Sequence, residues 1–139
     1  MPEPQSENVP DPRTAEGDED LGFEITFYER ILKQVPDSID ILMALGNNYT
    51  QCGLHEKGLS VDEHLCRLRA TDPIVRYNLA CTYSLLGRVD EAITTLEQAV
   101  ALGYHDSTHL QRDPDLDSIR RDPRYLAIVE RVKREQVRA

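Results

Sequence analysis

Two stretches of this 139-residue chain match each other when one is shifted by 34 residues. The matching positions carry the same kinds of residue, mainly leucine, tyrosine or a small residue: Leu45, Gly46, Tyr49, Gly53, Gly58 and Leu68 fall opposite Leu79, Ala80, Tyr83, Gly87, Ala92 and Leu102. A fixed period of this length, with small residues and an aromatic at set offsets, predicts a repeat of paired helices. Because such repeats usually build a binding surface, the period constrains the shape of the molecule more than its function.

Helical periodicity and breaking residues divide residues 21–136 into seven predicted helices. The expected bounds are about 21–34, 38–53, 55–69, 73–86, 89–102, 114–121 and 123–136. Apolar residues predicted to be buried on the first and third of these are Phe23, Phe27, Tyr28, Ile31, Leu32, Leu59, Leu65 and Leu68. The last two helices each begin after an Asp-Pro pair and are expected to bury Leu116, Ile119, Tyr125, Leu126, Val129 and Val132.

Residues 1–20 differ in composition from the rest of the chain. They contain four prolines, seven acidic residues and one basic residue, which account for most of the net charge of −9. Such a segment buries too little apolar surface to offset its chain entropy, so a disordered acidic tail is predicted. A solubilising leader is the favoured reading, and a regulatory arm is the alternative. Residues 21–139 are expected to form a single domain.

The composition argues against several classes of protein. No run of about 18 apolar residues is present, and the acidic start lacks the pattern of a secretory signal. Three cysteines without a CxxC pair favour a reduced, cytoplasmic protein. Binding to nucleic acid or to an anionic membrane is not expected, because no basic face is evident.

The repeated residues resemble the tetratricopeptide repeat. Leu45-Gly46-x2-Tyr49 with Gly53 matches the first half of that motif, and Leu79-Ala80-x2-Tyr83 with Gly87 matches it again. The resemblance implies an all-α fold of antiparallel helix-turn-helix repeats in a right-handed superhelix with extra C-terminal capping helices. A half repeat (21–36), two repeats (39–72 and 73–106) and a cap (107–139) are expected; the Asp113–Tyr125 segment looks like the end of many bacterial repeat proteins.

Two charged residues depart from the family pattern. Asp62 and Arg76 stand where large apolar residues are usual, at the seam where units stack. An unpaired charge there would be costly, so we hypothesise that the two meet across the seam. The alternative is that both point to solvent.

Three clusters could be mistaken for metal or catalytic sites. Cys52, His55, His64 and Cys66 are zinc-capable, but the two histidines are expected about 13 Å apart on one helix. Asp113-x-Asp115-x-Asp117 opens like a calcium loop and then lacks the required glycine and glutamate. His105 and His109 could share a helix face but lack the HExxH glutamate. No metal, no cofactor and no enzymatic activity are therefore expected.

In the family, the first helix of each unit lines a concave groove. The resemblance therefore implies that the groove carries Asp40, Met43, Ala44, Asn47, Thr50 and Gln51 from the first unit, and Ile74, Tyr77, Asn78, Cys81, Ser84 and Leu85 from the second. This set is nearly uncharged and has an apolar strip. It suits an extended or helical peptide with apolar anchors.

Co-chaperones in the family grip a terminal carboxylate with Lys, Asn, Asn, Lys and Arg. Asn47 and Asn78 match the two Asn positions, but Met43 and Thr108 replace the lysines, and only Arg112 could match the Arg. Without cations a carboxylate would bind weakly, so this clamp is disfavoured.

The expected function is therefore a non-catalytic adaptor that binds a peptide or partner protein in the groove. A self-assembling regulatory or assembly subunit is the alternative, and a carboxylate-clamp co-chaperone or an enzyme is less favoured. The sequence leaves open the identity of the partner, the oligomeric state, and whether the chain's own C-terminal helix fills the groove.

Overall fold

A computed structural model describes residues 15–138, with side chains from Asp20 onward. Its helices are α1 (Ala15–Gln34), α2 (Ile39–Gln51), α3 (His55–Leu68), α4 (Pro73–Leu85), α5 (Val89–Ala101), α6 (Ser107–Arg112), a 3₁₀ helix (Pro114–Ile119) and α7 (Pro123–Arg138). The all-α prediction is confirmed. None of the helices in 15–138 has both the length and the apolar run needed to cross a bilayer.

Helix α1 begins earlier than the periodicity suggested. Residues 15–20, predicted to belong to the disordered tail, are helical and continue into the first helix. The rest of the predicted tail, residues 1–14, lies outside the described part of the chain. Helix α6 was not predicted either. It is only six residues long and is started by Asp106, whose side chain accepts a hydrogen bond from the backbone N–H of His109.

The hydrophobic core consists of two clusters, one for each repeat and its neighbours. The first joins α1 to α4 through residues such as Leu42, Leu45 and Leu65. The second joins α4 and α5 to the C-terminal helices through Leu96, Leu110 and Leu116, all fully buried. Helix α4 contributes residues to both clusters, so it joins the first unit to the second.

Small residues allow the two helices of each unit to approach closely. Ala80 and Ala92 are fully buried, and Gly58 stands at the position of Ala92 in the preceding unit. A Cβ at Gly58 would meet only Cβ of Tyr49, at 3.7 Å, which is ordinary van der Waals contact.

We expect Gly58→Ala to raise the free energy of unfolding by about 0.5–1 kcal/mol, because alanine is the better helix former and the site has room for a methyl group. The matched control is Gly87→Ala in the turn after α4, where φ is +75°. That backbone disfavours a Cβ, so a loss of about 1–2 kcal/mol is expected. Urea denaturation of both variants is the measurement, and a loss of stability at Gly58 would contradict the packing described.

Four side chains predicted to be buried are exposed. Phe23 and Phe27 are 77 % and 53 % exposed on α1, Leu68 lies at the end of α3, and Leu126 is 52 % exposed on α7. Helix α1 instead buries Ile25. For the three residues on α1 and α7 the reason is architectural: these are the terminal helices of the described part, so only one side of each packs on the core.

Candidate functional site

A concave cavity of about 510 Å³ lies between α2, α4 and the C-terminal cap. Its lining residues are Met43, Ala44, Gly46, Asn47, Thr50, Asp62, Leu65, Tyr77, Asn78, Cys81, Thr82, Leu85, His109, Asp113 and Asp115. The first helices of the two units, α2 and α4, supply most of the residues that line the cavity, as expected. The cap closes one end, because His109 and the Asp113 turn face α4.

The cavity includes most of the predicted groove but not all of it. Met43, Ala44, Asn47, Thr50, Tyr77, Asn78, Cys81 and Leu85 line it. Asp40, Gln51, Ile74 and Ser84 do not. The first three are exposed near the ends of their helices, whereas Ser84 is buried and hydrogen-bonded to Ser118 at 2.8 Å.

Of the five positions that were compared with a carboxylate clamp, three line the cavity and two do not. Asn47, Asn78 and Met43 line the cavity. Thr108 and Arg112 are exposed residues of α6 outside its lining.

The expectation of a nearly uncharged groove was wrong. Asp62 enters the lining from α3, and Asp113 and Asp115 enter it from the cap, while no lysine or arginine lines it. Reading only the first helix of each unit missed these residues. In the sequence, the unusual acid at position 62 and the Asp113-Pro114 pair were the features that could have indicated an acidic site. Only the tertiary fold brings Asp62 and Asp113 to one cavity.

Asp62 is buried beside the cavity and bonded to the next unit. The Thr82 hydroxyl donates to Asp62 Oδ2 at 2.5 Å. Burial raises the pKa of Asp62 to about 6, and the Thr82 hydrogen bond opposes that shift.

Asp62 is buried, so the alternative in which it points to solvent is wrong, and its hydrogen-bond partner is Thr82 rather than Arg76. Arg76 donates instead to Gln98 Oε1 at 3.4 Å and to the Ala70 carbonyl at 3.1 Å. Within residues 20–138, no ion pair under 4.0 Å joins the two. The seam between the units is therefore crossed by a neutral donor, Thr82.

The raised pKa of Asp62 predicts a specific pH dependence of stability. The folded chain holds this proton more tightly than the unfolded chain, so the contribution is full below about pH 4 and is lost as the pH rises through about 6. Relative to Asp62→Asn, the wild type should lose on the order of 2–3 kcal/mol of unfolding free energy between pH 4 and 7. Urea denaturation across this range is the measurement. Thr82→Val should move the loss to higher pH, and parallel profiles for wild type and Asp62→Asn would refute the assignment.

Asp113 connects the cap to helix α4. Its Oδ2 accepts from the Tyr77 hydroxyl at 2.6 Å and from Cys81 Sγ at 3.6 Å, and it lies 3.2 Å from His109 Nε2. Its Oδ1 accepts from the backbone N–H of Asp115 at 3.0 Å and so caps the 3₁₀ helix. Capping, rather than an open calcium loop, is what this carboxylate does here.

The metal-capable side chains that lie together differ from the three clusters considered in the sequence. Within 20–138, the one group of three or more such ligands is Cys81, Asp113 and Asp115, with ligand atoms within 4.8 Å of one another. Burial raises the pKa of the Cys81 thiol well above its usual value, which disfavours the thiolate a metal needs. His105 precedes α6 and therefore shares no helix with His109.

Comparisons with known proteins agree with this fold. A family model described as tetratricopeptide repeat matches residues 74–102, within α4 and α5. A chloroplastic protein of Arabidopsis thaliana is 32 % identical to the chain over 79 residues, covering 55 % of this chain and 24 % of that protein. The chain therefore spans about a quarter of that relative's length.

The solved structure "MamA MSR-1 C2" has a TM-score of 0.66 and 18 % identity to the chain, and the match covers 84 % of this chain and 70 % of the other. At that identity the likeness shows the fold alone. The fold is a tetratricopeptide-type superhelix of helix pairs.

Proposed function

Since this chain is a tetratricopeptide-repeat protein, we propose that it is a protein-interaction module that holds a peptide segment of a partner in its concave cavity. The observation that carries the proposal is the cavity of about 510 Å³, which combines an apolar rim with hydrogen-bonding side chains. Met43 and Leu85 offer the apolar contacts, and Asn47 and Asn78 offer amides to a peptide backbone.

The charge of the cavity indicates the chemistry of the partner. Asp62 and Asp113 are buried and Asp115 is half-buried, whereas no lysine or arginine of the described residues lines the cavity. A segment bearing lysine or arginine beside an apolar side chain would complement this lining. A terminal carboxylate would be repelled, which is a further reason to disfavour the clamp.

We also propose an absence of catalysis, a cellular compartment and an alternative role. A scaffold role needs no catalysis by the chain, and we propose none. The free thiols of Cys52, Cys66 and Cys81 suit a reduced compartment such as the cytoplasm. A second candidate, a self-assembling or assembly subunit, rests on the exposed aromatic face of α1, which lies outside the cavity.

The test compares two pools of short synthetic peptides that share leucine anchors and differ only in carrying lysine and arginine or glutamate. We expect the basic pool to bind and to shift the backbone amide NMR signals of Asn47, Thr50 and Asn78. Asn47→Lys should weaken binding at least about tenfold, because it places a like charge in the cavity.

The matched control is Gln51→Lys, which adds the same charge one turn further along α2 but outside the cavity lining. It should change the affinity by less than about twofold. Equal binding of the two pools, or equal losses in the two variants, would count against the cavity as the binding site. Tyr77 is not a suitable probe, since it is buried and bonded to Asp113.

A further inference from the structure

Helix α1 occupies the place of a second helix in a repeat whose first helix is not among the residues that the structure describes. Shifting by 34 residues aligns Phe27 with Val61 on α3, and a further 34 aligns it with Thr95 on α5. Val61 and Thr95 are only 8 % and 6 % exposed, whereas Phe27 is 53 % exposed. The same position is thus buried in both complete units and open in the first.

Within residues 15–138, α1 has no first helix of its own unit to pack against. Val61 faces Gly46 of α2, the first helix of its own unit, with Val61 Cγ1 3.4 Å from where a Cβ at Gly46 would lie. Helix α1 packs on α2, and Phe23 and Phe27 are exposed one turn apart on it. Only Phe27 occupies a position that is buried in the complete units, since Phe23 aligns with the exposed Lys57 and Glu91. Residues 1–14 contain four prolines and only Met1 and Val9 as apolar side chains, so by composition they are a poor cover.

Helix α7 has the properties that such a cover needs. It is 16 residues long, long enough to replace a first helix, and its outer side exposes Leu126 and Val137. Val137 lies with Lys133, Arg134 and Arg138 on an exposed patch at the end of α7. An aromatic ring packed on this patch would gain apolar contact and cation–π attraction.

The charges of the two helices are complementary. Helix α1 has six acidic and two basic residues, and α7 has five basic and two acidic residues. Two α1 helices facing each other across a two-fold axis would bring like charges together, whereas α1 facing α7 brings opposite charges together.

We propose that α7 of a second copy packs on the face of α1 that carries Phe23 and Phe27, so that copies associate head to tail. Such a contact is heterologous, and it leaves a free α1 face at one end and a free α7 at the other. Further copies therefore add until a ring closes or a filament grows. The contact lies outside the peptide cavity and does not depend on it.

The test uses two full-length variants that each block one end: Phe23→Ser/Phe27→Ser and Lys133→Glu/Arg134→Glu. Light scattering after size exclusion should show that the mass of the wild type rises with concentration above the 15.9 kDa of one chain and falls when salt is added. Each variant alone should remain at one chain mass. Their mixture should form a one-to-one dimer and nothing larger, because one intact end of each type remains.

Two variants serve as matched controls. Ile74→Ser changes an exposed apolar residue on another helix, and Arg112→Glu/Arg121→Glu reverses two exposed charges that precede α7 in the chain. Both should associate like the wild type. Circular dichroism checks that every variant is folded. A wild type that stays monomeric at all concentrations, an α7 variant that still dimerises alone, or a mixture that does not pair would overturn the proposal.

Discussion

Replacing Asp113 by alanine should lower the free energy of unfolding by about 2–4 kcal/mol, although the substitution removes only one small side chain. The loss has two sources. The 3₁₀ helix loses its cap at the Asp115 backbone N–H. The buried Tyr77 hydroxyl loses its acceptor, and burial leaves it without water as a substitute.

Urea denaturation measures this loss, and a double-mutant cycle with Tyr77→Phe assigns it. Asp113→Asn keeps an acceptor and a cap, so it should lose only about 1–2 kcal/mol. Tyr77→Phe in the Asp113→Ala background should cost less than it does in the wild type, since the orphaned hydroxyl is gone. Asp117→Ala, an exposed aspartate in the same segment, should change stability by less than about 0.5 kcal/mol. Strict additivity in the cycle would show that the 2.6 Å hydrogen bond is not what joins the cap to α4.

Leu116→Ala should destabilise the protein by about 2–4 kcal/mol. Leu116 is fully buried in the second core cluster, where the 3₁₀ helix packs on α4. Its truncation leaves a cavity between two elements that the Asp113 hydrogen bonds hold in place, so the site cannot readily collapse.

The control is Leu126→Ala, the same chemical change at a leucine that the sequence also predicted to be buried. Leu126 is 52 % exposed, so we expect a loss of no more than about 0.5 kcal/mol. Thermal and urea unfolding of the pair measure the contrast. Equal losses would mean that α7 packs against the core through a different face.

The helical part of the fold was largely predictable from local chemistry. Ser38 and Asp72 cap α2 and α4, because their side chains accept hydrogen bonds from backbone N–H groups of the first turn. Gly53 and Gly87 adopt positive φ where turns were expected. These features are local, because each depends on residues within one turn of helix. Two features were not predicted. Helix α1 begins at Ala15, earlier than expected, and α6 has only six residues, too few to show a helical period.

The candidate site was predictable only in part. The resemblance to the repeat family placed Asn47 and Asn78 on the groove side of α2 and α4, and both line the cavity. It could not place Asp62, which reaches the cavity from α3, or Asp113, which reaches it from the cap. Both depend on how separate helices pack, and that is a long-range property. The sequence consequently suggested an uncharged groove where the fold makes an acidic one.

The sequence by itself determined the repeat, the helices within it and the caps that begin them, because helix periodicity and turn chemistry operate over a few residues. The tertiary structure alone decided which charges share a cavity and which apolar side chains stay exposed. The same spacing gives a buried Val61 and an exposed Phe27, because burial depends on whether a neighbouring helix is present. The repeat period therefore fixed the positions of these side chains, while packing fixed their environments and the surfaces left open for partners.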